Sequence, residues 1–298
     1  MKDINSISEN LIKKGKKKGE RMAKNIDNPE KKTENNLDEK LKNNMSKIKH
    51  KILVLSNKGG VGKSSVAINL ACALSGKTFK VGILDVDLHG PSVAKMLGFE
   101  GKKLQGNSEG IIPMSISPNL TAVSMASLIE NSDSPLIWRG PLKAIAIKQF
   151  LGEVEWGNLD YLIVDSPPGT GDEPLSICQL IPELEGGVIV TTPQEVALLD
   201  SRKCVNFLRK LKIPILGIIE NMSGLKCPHC GENIDLFKSG GGEKAAKEFN
   251  LPFLGKIPIE INMVNSTDEG KPYIFQYKDS ETAQAFNQVV ELILAQMK

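Results

Sequence analysis

The sequence predicts a doubly wound α/β domain around a mostly parallel sheet, and three observations carry that expectation. Short apolar runs recur from Lys51 onward, helical patterns separate them, and the first run ends in a glycine-rich turn. The runs fall at 52–56, 81–84, 161–164, 188–190, 215–219 and, more weakly, 253–257. Continuous apolar runs without polar alternation suit strands buried on both faces. Helical patterns lie at 63–74, 141–151, 195–211 and 242–249. A closing helix is expected over 280–297, with Ser280 as its cap and Glu281 in its first turn. Residues 104–125 read as irregular, with a short hairpin near 120–125. In such folds ligands sit at the carboxyl ends of the strands.

The bulk composition narrows the class. The 298 residues are 40% hydrophobic and 24% charged, ordinary for a globular protein. No apolar run approaches the roughly 18 residues of a membrane span, and no apolar leader opens the chain. Five cysteines, odd in number and unevenly spaced, do not suggest a disulfide framework, so a reducing cytoplasm is expected. The net charge of +3 is asymmetric: residues 1–50 carry +6 and the remainder −3. Residues 1–48 are therefore expected to form a disordered basic arm, with its lysine run at 13–18, ahead of one domain at 49–298. A basic arm invites a nucleic-acid role, but a solvated tail explains it as well.

The turn after the first run is the densest chemical signal. Gly62-Lys63-Ser64 ends it as a phosphate-binding loop ends, although the usual glycine five residues before Gly62 is replaced by Asn57. Asn57 is expected to take the left-handed conformation that glycine would supply. Gly59, Gly60, Val61 and Gly62 would turn successive N–H groups toward an anion at a helix N-terminus. Lys63 would reach the β- and γ-phosphates and the Ser64 hydroxyl would ligate Mg²⁺, with Ser65 beside them. Asp165, at the end of the run 161–164, has the form of the acidic residue that holds Mg²⁺. The loop 166–172 behind it suits a γ-phosphate sensor. Asp87 is the candidate for orienting an attacking water. Asp85 more directly continues the buried strand, and strand-end solvation is the plain alternative for both.

Cys227 and Cys230 form a C-x-x-C knuckle, with Pro228 stiffening it and Gly231 turning the chain. Such a knuckle supplies two thiolates, whereas a zinc site or a [4Fe–4S] cluster takes four ligands. Cys72, Cys178 and Cys204 sit singly in helical patterns and read as buried structural cysteines. His229, between the thiols, is a poor third donor. A two-fold homodimer would bring Cys227 and Cys230 from each chain together. On ligand chemistry a cluster, a zinc bridge, a redox dithiol and a structural turn all stay open.

Two resemblances add to this. Lys58 within Lys58-Gly59-Gly60-Val61-Gly62-Lys63-Ser64 resembles the deviant loop of MinD/ParA-type P-loop NTPases. That resemblance implies that Lys58 crosses a dimer interface to the partner's nucleotide, that Asp87 and Asp165 are switch carboxylates, and that Asn221 contacts adenine. From Lys51 to about Pro272 the chain is similar to the Mrp/ApbC family of iron–sulfur cluster carrier ATPases. The matching motifs are Asp85-Val86-Asp87-Leu88-His89-Gly90-Pro91-Ser92, Trp138-Arg139-Gly140-Pro141, Asp165 through Asp172, Cys227-Pro228-His229-Cys230, Gly240-Gly241-Gly242-Glu243 and Gly255-Lys256-Ile257-Pro258. This implies ATP and Mg²⁺ at the loop, with Pro258 in the nucleotide set. It also implies a [4Fe–4S] cluster shared by Cys227 and Cys230 of a homodimer, slow ATP hydrolysis, and transfer to apo-proteins. The arm holds no cysteine, so the extra N-terminal cluster of eukaryotic cytosolic members is not expected. Glu260 and Asn262 stand where that family usually has an aspartate and an arginine. The competing expectation is a positioning ATPase with a zinc-stapled dimer, acting on a membrane or DNA. The polar, acidic C-terminus and the negative body do not favour it.

Overall fold

Burial on both faces is what the apolar strands demand, and two helical layers supply it. The computed structural model describes residues 29–87, 90–108, 110–128 and 140–297. The lysine run at 13–18 and the motif residues Leu88, His89, Trp138 and Arg139 lie outside them. The strands are β1 (Ile48–Leu55), β2 (Val81–Asp85), β3 (Met114–Ser117), β4 (Leu120–Ser124), β5 (Leu159–Asp165), β6 (Gly186–Thr191), β7 (Ile215–Lys226), β8 (Asn233–Ile234) and β9 (Phe253–Ile259). Among the described residues they form one sheet in the order β3-β4-β2-β5-β1-β6-β7-β8, with β9 also paired to β7. Only β3 and β8 run antiparallel to their neighbours. All six apolar runs are strands, and the hairpin expected near 120–125 is β3–β4.

The helices that matter are α1 (Pro29–Ser46), α2 (Lys63–Gly76), α3 (Gly140–Glu153), α4 (Asp172–Leu180), α5 (Glu195–Lys210), α6 (Gly241–Phe249), α7 (Ile261–Asp268) and α8 (Glu281–Gln296). Successive strand residues face opposite layers. In β1, Ile52 and Val54 meet α2 and α8, whereas Leu53 and Leu55 meet the layer containing α1, α3, α5 and α6. Ser280 caps α8 as its sequence position implies, accepting from the Ala283 N–H at 3.1 Å. No helix among the described residues is long and apolar enough to cross a membrane. The apolar side of α8 is buried in the domain, through Phe286, Val289, Val290 and Ile293.

The expected disordered arm needs correction from Pro29 onward, because 29–46 is helical. Leu41 and Met45 of α1 are buried, and Asp38 pairs with Lys148 at 2.6 Å. Asn44 Nδ2 donates to the carbonyls of Gly152 and Val154, at 2.8 and 3.0 Å. Lys51, only 2% exposed, donates to the Met45 and Ile48 carbonyls at 3.3 Å. A cation there suits the carbonyl end of α1, and burial lowers its pKa. The polar composition of this segment hides an apolar stripe of three residues, Leu37, Leu41 and Met45, spaced four apart.

If α1 is part of the fold, Met45→Ala should lower unfolding stability in urea by about 2 to 5 kcal/mol, the usual result of truncating a buried methionine. A change near zero would return residues 29–46 to the status of an appended tail.

Candidate functional site

Strand β1 lies between β5 and β6, so chain connections leave it in both directions and open a crevice at its carboxyl end. The loop 56–62 enters that crevice and hands the chain to α2. Gly60 and Gly62 both have φ of +80°, in the left-handed region. Gly62 is doubly constrained, since a Cβ there would stand 2.2 Å from Asn221 Nδ2. Asn57 is not left-handed, which corrects the expectation for it. Its side-chain amide instead donates to Asp200 Oδ1 at 2.8 Å. The Ser56 hydroxyl donates to the Lys58 carbonyl, and the Gly169 N–H to the Ser56 carbonyl. The loop is thus tied to α5 and to the 166–171 segment.

The cavity above it has a volume of about 860 Å³ and is lined by Gly60, Lys63, Ser64, Asp87, Pro168 and Asp172, among others. Lys63 Nζ lies 2.6 Å from Asp165 Oδ1 and donates to Ser64 Oγ at 3.2 Å. Asp165 is fully buried, and its Oδ2 has no hydrogen-bond partner. Burial raises the Asp165 pKa and the neighbouring Lys63 charge opposes that rise. A buried carboxylate oxygen left over beside a serine hydroxyl is the donor set a small hard cation such as Mg²⁺ takes. Ser64 and Asp165 therefore fit that ion.

The two aspartates after β2 separate in role. Asp85 is fully buried and takes the N–H groups of Asp87 and Val93 and the Ser124 hydroxyl. Burial, then the nearby Asp165, pushes its pKa up to about 8. Asp87 lines the cavity and accepts from the Gly90 N–H at 3.0 Å. Asp85 thus organises the turn, and Asp87 is the carboxylate that faces the cavity.

Lys58 is half exposed and pairs with Asp200 of its own chain at 2.7 Å. Asn221 Nδ2 donates to the Val61 carbonyl at 2.9 Å, bracing the loop from behind. Ser65 Oγ lies 3.3 Å from Met263 Sδ, which links α2 to α7. Pro258 follows Ile257, the β9 partner of Asn221, so it sits at the same sheet edge. Asp200 escaped the sequence reading because its contacts reach 142 and 143 residues back along the chain.

The knuckle occupies the tip of a hairpin. Strand β7 runs on past Asn221 to Lys226 and pairs with β8, Leu225 opposite Ile234. Cys227 N–H donates to Glu232 O at 2.8 Å, and Gly231 N–H to Cys227 O at 2.9 Å. The thiol of Cys227 is held below its ordinary pKa, first by the Cys230 N–H and then by that of His229. Cys230 is exposed. Amides aimed at sulfur favour the thiolate, the form that binds metal. The helix N-terminus that a redox dithiol needs is not here. Cys72 and Cys204 are buried in helices and Cys178 is half-buried in α4. Burial raises the pKa of all three. Among the described residues no three His, Cys, Asp or Glu side chains converge on a metal position, so His229 does not complete the pair.

Sheet order and loop together define a P-loop NTPase of the MinD/ParA type. More narrowly, the chain belongs to the family described as ParA, NUBPL iron-transfer P-loop NTPase, which matches residues 47–294. It is 48% identical over 261 residues to a Methanocaldococcus jannaschii protein named iron-sulfur cluster carrier protein, covering 88% of this chain and 89% of that one. It is 47% identical over 251 residues to the Dictyostelium discoideum cytosolic Fe-S cluster assembly factor NUBP2 homolog, covering 83% and 95%. A solved Archaeoglobus fulgidus nucleotide-binding protein, in complex with ADP and with Co found by PIXE, superposes with a TM-score of 0.72. It is 36% identical, over 84% of this chain and 96% of that one. The Pyrococcus furiosus cell division ATPase MinD, 24% identical with a TM-score of 0.61 over 83% of this chain and 99% of that one, shares the fold.

A carboxyl whose pKa is higher folded than unfolded binds more protons when folded, so stability falls as pH rises between the two values. For Asp85 that window runs from 3.8 to about 8. Asp85→Asn imitates the protonated side chain at every pH. Thermal melts of the nucleotide-free variant should therefore show a flatter decline across the window than wild type. Superimposable profiles would show that Asp85 is not the titrating group.

Proposed function

We propose that this protein is an ATP-binding iron–sulfur cluster carrier, holding a [4Fe–4S] cluster between two copies of the chain and passing it to apo-proteins. The observation that carries the reading is the thiol pair itself. Cys227 and Cys230 stand on an exposed hairpin with the Cys227 thiolate favoured, yet among the described residues no further ligand joins them, and a cluster takes four. A two-fold dimer completes the set with no further residue. Ile234, Leu236 and Phe237, exposed on the same excursion of the chain, give that contact an apolar surface. The names of the close relatives agree with such a cargo.

Nucleotide chemistry follows from the loop. The N–H groups of Gly59 to Gly62 and the α2 N-terminus cradle the phosphates. Lys63 exchanges its bond to Asp165 for the β- and γ-phosphate oxygens, and Asp165, with Ser64, is then free to hold Mg²⁺. Held by Ser64 and Asp165, the ion would supply neutralisation of the charge on the transferred phosphoryl group. Asp87 orients the water that attacks the γ-phosphorus as ADP leaves. Asn221 and Pro258 flank the adenine. Lys58 leaves Asp200 and reaches the partner's nucleotide, so ATP favours one arrangement of the two chains. Hydrolysis is slow and serves as a timer for loading and release. With its cargo and clients in the cytoplasm, the protein needs no membrane or nucleic acid. The packing of Phe286, Val289, Val290 and Ile293 of α8 within the domain favours the carrier reading over a positioning ATPase that acts on a membrane.

Anaerobic reconstitution tests this. Wild type should take up about two iron and two sulfide per chain, a [4Fe–4S] cluster divided between two copies. Cys227→Ala should take up almost none. Zinc uptake without iron or sulfide would favour a zinc-stapled dimer instead. In a second assay, Lys63→Ala should abolish ATP hydrolysis and slow cluster delivery to an apo-ferredoxin. Delivery at the wild-type rate would separate nucleotide use from transfer.

A further inference from the structure

Residues 226–239 leave the sheet with almost nothing buried to hold them, apart from the short β7–β8 pairing. Where Cys227 and Cys230 point is therefore decided at the base of this excursion. One side chain ties both of its ends. Glu220, in β7, is fully buried. Its Oε1 accepts from the Ser223 hydroxyl, on the outgoing side, and from the Gly240 N–H at 3.0 Å, on the returning side. Its Oε2 accepts from the Gly242 N–H at 2.6 Å. The charge is thus met at the N-terminus of α6, where a carboxylate is favoured.

This arrangement accounts for Gly240-Gly241-Gly242, a motif that the nucleotide and thiol chemistry leaves unused. Gly240 has φ of +88°. A Cβ on Gly241 would lie 2.1 Å from the Pro193 carbonyl, and one on Gly242 2.8 Å from Glu220 Cβ. Only glycine lets the helix start press against the carboxylate. The next residue, Asn221, points the other way, to the phosphate loop.

We propose that Glu220 is a positioning residue for the thiol pair, its carboxylate clasping Ser223 to Gly240 and Gly242 and so fixing how the hairpin presents Cys227 and Cys230 to the second chain. This rests on the reading that these thiols hold the metal cargo. Gln at this position keeps the shape but turns one N–H₂ group toward a backbone donor, which opens one side of the clasp.

The test uses the full chain and cobalt(II) as probe under anaerobic conditions, read by thiolate-to-cobalt absorption. Glu220→Gln should weaken cobalt binding about tenfold, the scale of lost outer-shell support, and alter the visible d–d bands. Ser223→Ala, which removes only one leg, should do the same to a smaller degree. In the metal-free protein the Gly240 and Gly242 amides should exchange with solvent faster in Glu220→Gln. Wild-type affinity and bands in Glu220→Gln, with Cys227→Ala silent, would overturn the positioning role alone. A wild-type cobalt spectrum in Cys227→Ala would overturn the thiol-site reading and this proposal with it. Unchanged amide exchange would overturn the clasp whatever the metal does.

Discussion

Strand β7 has neighbours on both edges, β6 and β9, and that constraint sets where the thiol hairpin lies relative to the phosphate loop. A strand paired on both sides cannot bend away before its ladder ends, so its carboxyl end emerges at the same rim as the phosphate loop of β1. There its residues divide by face. Asn221 reaches the loop through Val61, and Glu220 reaches the start of α6. Past Asn221 the pairing with β9 shifts register, Met222 takes φ of +58° and Gly224 takes +79°. The irregularity turns the strand outward and converts its last residues into the knuckle hairpin. One continuous backbone therefore runs from Asn221, which braces the phosphate loop, to the thiol hairpin.

Electrostatics gives the crevice its second organising feature. Three carboxylates, Asp85, Asp87 and Asp165, lie near the Lys63 ammonium. Buried charge is tolerated only when paired or hydrogen-bonded. Asp85 meets this with backbone and hydroxyl donors and with a pKa pushed up to about 8, which favours its neutral form, while Asp165 keeps one oxygen unmatched. That unmatched oxygen carries a desolvation cost. With the Ser64 hydroxyl beside it, that oxygen fits a small hard cation. The Lys58–Asp200 pair ties a half-exposed lysine of the phosphate loop to α5.

Much of this was legible in the chain. The six apolar runs are strands because both-face burial leaves no polar alternation to misread. The phosphate loop is local, its chemistry held in consecutive residues, and so is the C-x-x-C turn. What escaped depended on distance or on dilution. Helix α1 hides three apolar residues among charges, and only its docking on α3 makes those three decisive. Asn57 looked like a substitute for glycine, yet its value lies in an amide that meets Asp200 far along the chain. Glu220 was not singled out in the sequence, because the amides that compensate it belong to the triple glycine of α6, some twenty residues on.

The central claim is that the thiol pair of one chain is half of a site. Native mass spectrometry of the anaerobically reconstituted protein tests it most directly, by weighing how many chains accompany each cluster. The account predicts a species of two chains with one [4Fe–4S] cluster, dissociating to bare single chains when the cluster is lost. A single chain carrying a complete cluster of its own would contradict it.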